Sequence, residues 1–175
     1  QIMTKALATQ GTGVQALLSG ATGTLGDDLV TGRTIRLASI YPLLERAAAL
    51  TQNPDIGLSV YAHAHPGVLG VHCYAVLSSP TLGAALQSLV DLHVLVTNGS
   101  QLLLEQREDC VKLLGIETAT AGGSAPRAFL DMGHALILGL IHWLWPYKKV
   151  MPLEVAFSYP RPADTRQLQA LFGSN

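Results

Sequence analysis

Gly67-Val68-Leu69-Gly70-Val71-His72-Cys73-Tyr74-Ala75-Val76-Leu77-Ser78-Ser79-Pro80-Thr81-Leu82-Gly83-Ala84-Ala85-Leu86 is an apolar run that closes on two serines and reopens on a proline. Ser79 is an N-cap residue type, and Pro80 suits a first helical position, where a missing N–H costs nothing. Leu82, Leu86 and Leu89 then follow at helical spacing. The stretch predicts two helices meeting at a tight corner, the first over about 69–78 and the second from Pro80 to about Val96, with Asn98-Gly99 as its stop.

Upstream, Ile40, Leu43, Leu44, Ala47, Ala48 and Leu50 form an apolar helical stripe opposite Glu45-Arg46. Asn53-Pro54-Asp55 breaks that helix and starts another running toward His63, and His65-Pro66-Gly67 is a turn by composition. Residues 1–34, rich in Gly and Thr, suggest one or two short helices and are weakly defined. Downstream the period changes. Leu102 to Glu105 and Val111 to Ile116 read as a β-hairpin over about 100–117, reversing near Arg107 to Cys110. A loop at Gly122-Gly123-Ser124 leads into a long helix from Pro126 through Trp145, stopped by Pro146. Leu153, Val155, Phe157 and Tyr159 alternate with polar or small residues as in a half-exposed strand, about 153–159, and a final helix covers about 163–172. The expected fold is α+β: one mostly helical domain over 1–175 with a small antiparallel sheet.

The run Gly67 to Leu86 resembles the N-terminal effector-sensing domain of AraC-type transcriptional regulators, the arabinose-binding-like branch. The residues carrying the likeness are Gly67, Gly70, Tyr74, Ser78, Ser79, Pro80, Thr81, Leu82 and Gly83. Leu43 to Ala48 with Asn53 to Leu58, and Pro160 to Gly173, add two further landmarks. Ala84 and His72-Cys73 depart from the pattern. The resemblance implies a non-catalytic, cytoplasmic bacterial sensor that binds a small-molecule effector and forms a homodimer. It also implies that DNA is contacted only through a C-terminal pair of helix-turn-helix motifs. A chain that reaches only Asn175 is then expected to be the sensor part of a longer regulator.

Composition agrees with a sensor that does not itself hold DNA. Eleven Lys and Arg face twelve Asp and Glu, so no electrostatic footprint for nucleic acid exists. Only 13% of residues are charged, below the roughly 25% of globular proteins, which fits either a surface covered by a partner or a compact helical core with many alanines and leucines. Cys73 and Cys110 are isolated thiols, forming neither a disulfide framework nor a zinc motif. The apolar stretch Met132 to Tyr147 is interrupted by His134, Gly139 and His142 and is short for a span, so no membrane contact is expected.

Nucleophile elbows and phosphate loops are missing from the sequence. The carboxylates Glu45, Asp55, Asp91, Asp131 and Glu154 show no sign of pairing. Asp131 either faces a cationic ligand group or sits well with the dipole of the long helix. His134 and His142 lie about 80° apart around that helix, and His63 and His65 are two apart. Neither pair has the spacing that places two imidazoles on one metal. The candidate ligand-binding residues are His63, His65, His72, Tyr74, Asp131, His134, His142 and Trp143, with no cofactor and no metal expected. A ligand-free dimerisation module is the alternative, and a haem or metal sensor using the histidines is the next.

Overall fold

The computed structural model describes residues 37–97, 99–117 and 124–173. The helices expected in 1–34, the stop at Asn98 and most of the glycine loop at 122–124 lie outside the described residues. Two compact units emerge. One takes the chain up to His65 and again from Ala125, and the other runs from Pro66 to Ser124.

In the first unit, α1 (Leu37–Thr51) buries Leu43, Leu44 and Ala47 of the predicted stripe, while Tyr41, not counted in that stripe, is also buried and Leu50 at its end is exposed. Thr51 donates its hydroxyl back to the Ala47 carbonyl, and Gln52 takes a positive φ of 50°. The Asn53 side chain then accepts the Asp55 N–H, so Asn53-Pro54-Asp55 both ends α1 and starts the next helix. That helix, Ile56–His63, is 3-10 rather than α, and it buries Ile56, Gly57, Leu58 and Val60. Ile56 and Val60 are fully enclosed, each worth about 1.5–3 kcal/mol of apolar burial.

Two glycines set how closely this 3-10 helix approaches the long helix α4 (Arg127–Leu144). A methyl on Gly57 would stand 2.2 Å from the Ala128 carbonyl oxygen, and one on Gly139 would stand 2.4 Å from Ala64 Cβ. Around the contact, Leu43, Leu44, Ala47, Ile56 and Ala128 make one apolar cluster, and Leu58, Val60, Ala135, Leu138, Leu168 and Phe172 make another. The last helix, α5 (Arg166–Phe172), ends on Gly173 at φ 68°, whose N–H bonds the Gln169 carbonyl.

The expected strand at 153–159 needs correction. Val155, Phe157 and Tyr159 are half-buried while Glu154, Ala156 and Ser158 are exposed, so the alternation holds over 155–159, but Leu153, expected on the inward side, is exposed. Yet the segment joins no ladder among the described residues. Its inward side chains pack on helices instead: Phe157 lies against His134 of α4 and Phe172 of α5. Pro160 and Pro162, which lack N–H donors, follow directly.

In the second unit, the expected first helix of the corner is two pieces. A 3-10 segment, Pro66–His72, kinks at Gly70 (φ 63°, ψ −140°), a conformation open mainly to glycine, before α2 (Cys73–Leu77). The corner itself is also built differently from the sequence expectation. Ser78 and Ser79 donate their hydroxyls backward, to the carbonyls of Tyr74 and Ala75 at 2.7 and 2.8 Å. With both serines engaged by α2, the cap of α3 (Leu82–Val96) falls to Thr81. Its extended backbone aims Oγ1 at the Ala84 N–H, 3.1 Å away. Pro80 therefore precedes the cap rather than following it. The hairpin forms as expected: β1 (Ser100–Gln106) and β2 (Val111–Glu117) pair antiparallel from Ser100↔Glu117 to Gln106↔Val111, closed by an Arg107 N–H bond to the Cys110 carbonyl. His93 at the end of α3 bonds the Ser100 hydroxyl at 2.9 Å, and burial lowers its imidazole pKa. The fold is thus α+β, mostly helical with a small two-stranded antiparallel sheet.

Candidate functional site

Arg127, Asp131, His134 and His142 of α4 are all engaged within the first unit. Arg127, at the first position of α4, pairs with Asp55, which precedes the 3-10 helix. One turn on, Asp131 is fully buried with its Oδ2 3.3 Å from Arg127 Nε. Tyr159, arriving from the extended segment, donates its hydroxyl to Asp131 Oδ1 at 2.5 Å, and the Arg127 guanidinium lies 5.6 Å from its ring centroid. Two carboxylates thus share one guanidinium. Neither Arg127 Nε nor Asp131 Oδ2 completes a hydrogen bond, although the two atoms face each other. The Tyr159 hydroxyl is therefore the hydrogen bond on which the buried carboxylate depends.

Burial pushes the Asp131 carboxyl pKa up, and the Asp55 charge adds to that; the Tyr159 bond and Arg127 pull it down without prevailing. The Tyr159 phenol is pushed up by burial and by the carboxylate it bonds, so it remains a donor throughout the neutral range. Sequence reasoning singled out Asp131 but missed Arg127, Asp55 and Tyr159. Asp55 and Asp131, which show no pairing in the sequence, meet on Arg127 because the 3-10 helix docks at the start of α4. The helix dipole and a cationic ligand are not needed to hold Asp131 in place.

Tyr159 also belongs to a cleft. Between the 155–162 segment and α5 lies a concavity of ≈ 230 Å³. Phe157, Tyr159, Leu168 and Phe172 give it an apolar, aromatic wall, and Arg161, Thr165 and Gln169 give it polar groups. Phe157 and Tyr159 stack at 4.9 Å between ring centroids. The walls follow from two periodicities. Alternation brings 155, 157 and 159 to one side, and helical spacing brings 165, 168, 169 and 172 to the other. Mostly apolar concave surfaces with a few placed polar groups are the usual form of small-molecule sites.

None of the eight residues expected to bind a ligand lines this cleft. His134 comes nearest, its ring 4.6 Å from that of Phe157 behind the wall and its Nδ1–H donating to the Leu130 carbonyl. His142 is a strap. Its Nε2 meets the Val150 carbonyl at 2.6 Å and must donate there, which leaves Nδ1 to accept from the Tyr61 hydroxyl at 2.7 Å. Trp143 is 50% exposed, His63 is half-buried and His65 is exposed. His72 and Tyr74 belong to the second unit; His72 Nδ1–H donates to the Leu69 carbonyl. Tyr74, on α2, is 73% exposed. Among the described residues no group of three or more His, Cys, Asp and Glu could hold a metal ion. No described helix is long and apolar enough to cross a membrane.

Comparison with known proteins agrees with this architecture. The family model described as the arabinose-binding domain of AraC transcription regulator, N-terminal, matches residues 11–175. The chain is also similar to the ornithine utilization regulator of Pseudomonas aeruginosa, 28% identical over 127 residues, which are 73% of this chain and 37% of that protein. The chain thus aligns with little more than a third of that regulator's length.

Proposed function

The chain belongs to the family of N-terminal arabinose-binding domains of AraC transcription regulators, and from that premise we infer that it is the effector-sensing portion of one such regulator. The domain is regulatory rather than catalytic. In this reading it is a single sensing domain whose small-molecule effector enters the cleft between the 155–162 segment and α5. The observation that carries the reading is the double role of Tyr159, which walls the cleft and holds buried Asp131. An occupant pressing on the Tyr159 ring acts on a chain of contacts running through Asp131 and Arg127 to Asp55. A ligand shifts an equilibrium only by its differential affinity for two arrangements, and about 1–3 kcal/mol is enough for a 5–150-fold change. The output would be DNA binding by a helix-turn-helix module in the same regulator, within a homodimer. The similar regulator is named for ornithine utilization, which supports a small metabolite as the class of signal.

The test is thermal unfolding of the purified chain against amino acids, short carboxylic acids and sugars. A melting temperature that climbs with the logarithm of one compound's concentration supports the reading. A melting temperature that ignores all of them but rises with protein concentration favours a ligand-free dimerisation module instead. The specific observation on that side is the exposure of Val94, Leu95 and Val96 on α3 and of Leu103, Val111 and Ile116 on the hairpin.

A further inference from the structure

We propose that the molecule taken by the cleft is an anion with an apolar body, a carboxylate in the simplest case, with Arg161 holding the negative group. The inference rests on the cleft's being the effector site and goes on to give the effector's charge and shape.

Three features of the cleft point the same way. Arg161 lines it with no hydrogen bond or ion pair to any described residue. The other cations of the unit with a nearby acid are occupied: Arg127 by Asp55 and Asp131, and Arg166 by Asp164 at 2.7 Å. A guanidinium presents a planar fork of donors that matches a carboxylate in two places at once. No carboxylate lines the cleft, so a bound ammonium would meet a positive rim and find no counter-charge. Asp131, the nearest buried acid, sits behind Tyr159 and already takes that hydroxyl.

The remaining walls describe the body of the molecule. Phe157 and Tyr159 stack, and Phe172 closes on Phe157 at 6.0 Å in an edge arrangement. Leu168 completes a surface that rewards an aromatic ring or a short aliphatic chain. Thr165, which precedes α5, and Gln169 of α5 also line the cleft and offer one hydroxyl and one amide, so a second polar substituent can be met.

The test uses the purified chain and three probes of one shape: 3-phenylpropionate, 3-phenylpropanol and 3-phenylpropylammonium, titrated by calorimetry. Two variants accompany it. Arg161→Gln removes the charge from an exposed side chain, and Gln169→Trp fills the cleft from the exposed face of α5, so neither disturbs the core. The expected result is that the carboxylate binds at least about fivefold more tightly than the alcohol and the ammonium. Arg161→Gln should erase that preference, and Gln169→Trp should abolish binding altogether. Binding that is lost in Gln169→Trp but is blind to probe charge, or favours the ammonium, overturns the anion assignment while leaving the cleft as the sensing site. Carboxylate binding that survives Gln169→Trp refutes the location. Failure of all three probes to bind at 10 mM, about the weakest affinity such a titration reads, overturns both the assignment and the cleft.

Discussion

Tyr159→Phe isolates one hydrogen bond at the centre of the molecule. The substitution keeps the ring, its stack on Phe157 and its place beside the Arg127 guanidinium, and deletes only the hydroxyl that Asp131 accepts. Asp131 is fully buried, and its other oxygen completes no hydrogen bond. At neutral pH the variant leaves a buried carboxylate with no hydrogen-bond donor. Hydrogen bonds to charged groups are worth about 1.5–3 kcal/mol, so the loss should be about 2 kcal/mol. The magnitude should depend on pH. The native Asp131 pKa lies above its ordinary value of 3.8, so on acidification the folded protein takes up this proton at a higher pH than the unfolded chain does. The hydroxyl then supports a neutral acid, and its removal should cost about 1 kcal/mol or less. The assay is urea unfolding followed by tryptophan fluorescence at pH 7 and pH 4, comparing variant and parent at each. Equal losses at the two values, or a loss under about 0.5 kcal/mol at pH 7, would refute the argument that this hydroxyl serves a buried charge.

Asp131→Asn should change the slope of stability with pH rather than only its level. A raised native pKa means the folded state holds the proton more tightly than the unfolded chain, so in the window above 3.8 the parent loses stability as pH rises. The Asp131→Asn variant should lack that decline, and urea midpoints from pH 4 to 7 that run parallel for the two proteins would contradict this. Gly57→Ala places a methyl 2.2 Å from the Ala128 carbonyl oxygen and 2.9 Å from Met132 N, backbone on both counts. It should cost about 3 kcal/mol or more, whereas Gly133→Ala on the same α4, with nothing within 4 Å, should gain about 1 kcal/mol in helix propensity. Melting curves of the two variants shifting the same way would count against the close approach. Thr81→Ala should cost about 1 kcal/mol as the true cap of α3. If Ser79→Ala costs more in the same measurement, the cap has been placed one corner too late.

The sequence by itself determined the elements with strong local signals. Apolar stripes gave α1, α3 and α4, alternation gave the hairpin, and the Asn53-Pro54-Asp55 break gave a new start at Ile56. The family was also legible, because Gly70 and the Ser78-to-Leu82 corner are local devices written in consecutive residues. Over 155–159 the alternation was read correctly, but Leu153 is exposed, and what the inward side chains faced was not foreseen. A period of two says which side chains share a side, and only the folded chain says whether that side meets a strand or, as here, two helices. The choice of Thr81 over Ser79 as cap was decided in the same way, by which carbonyls lay within reach of each hydroxyl. Arg127 and Asp131 stand one helical turn apart, a spacing visible in the sequence, but Asp55 and Tyr159 lie far from them along the chain, and two glycines permit the close docking that brings the 3-10 helix to α4. Local chemistry fixes helices and turns because its partners lie within a few residues. Burial and charge pairing join partners whose proximity exists only after the chain has packed.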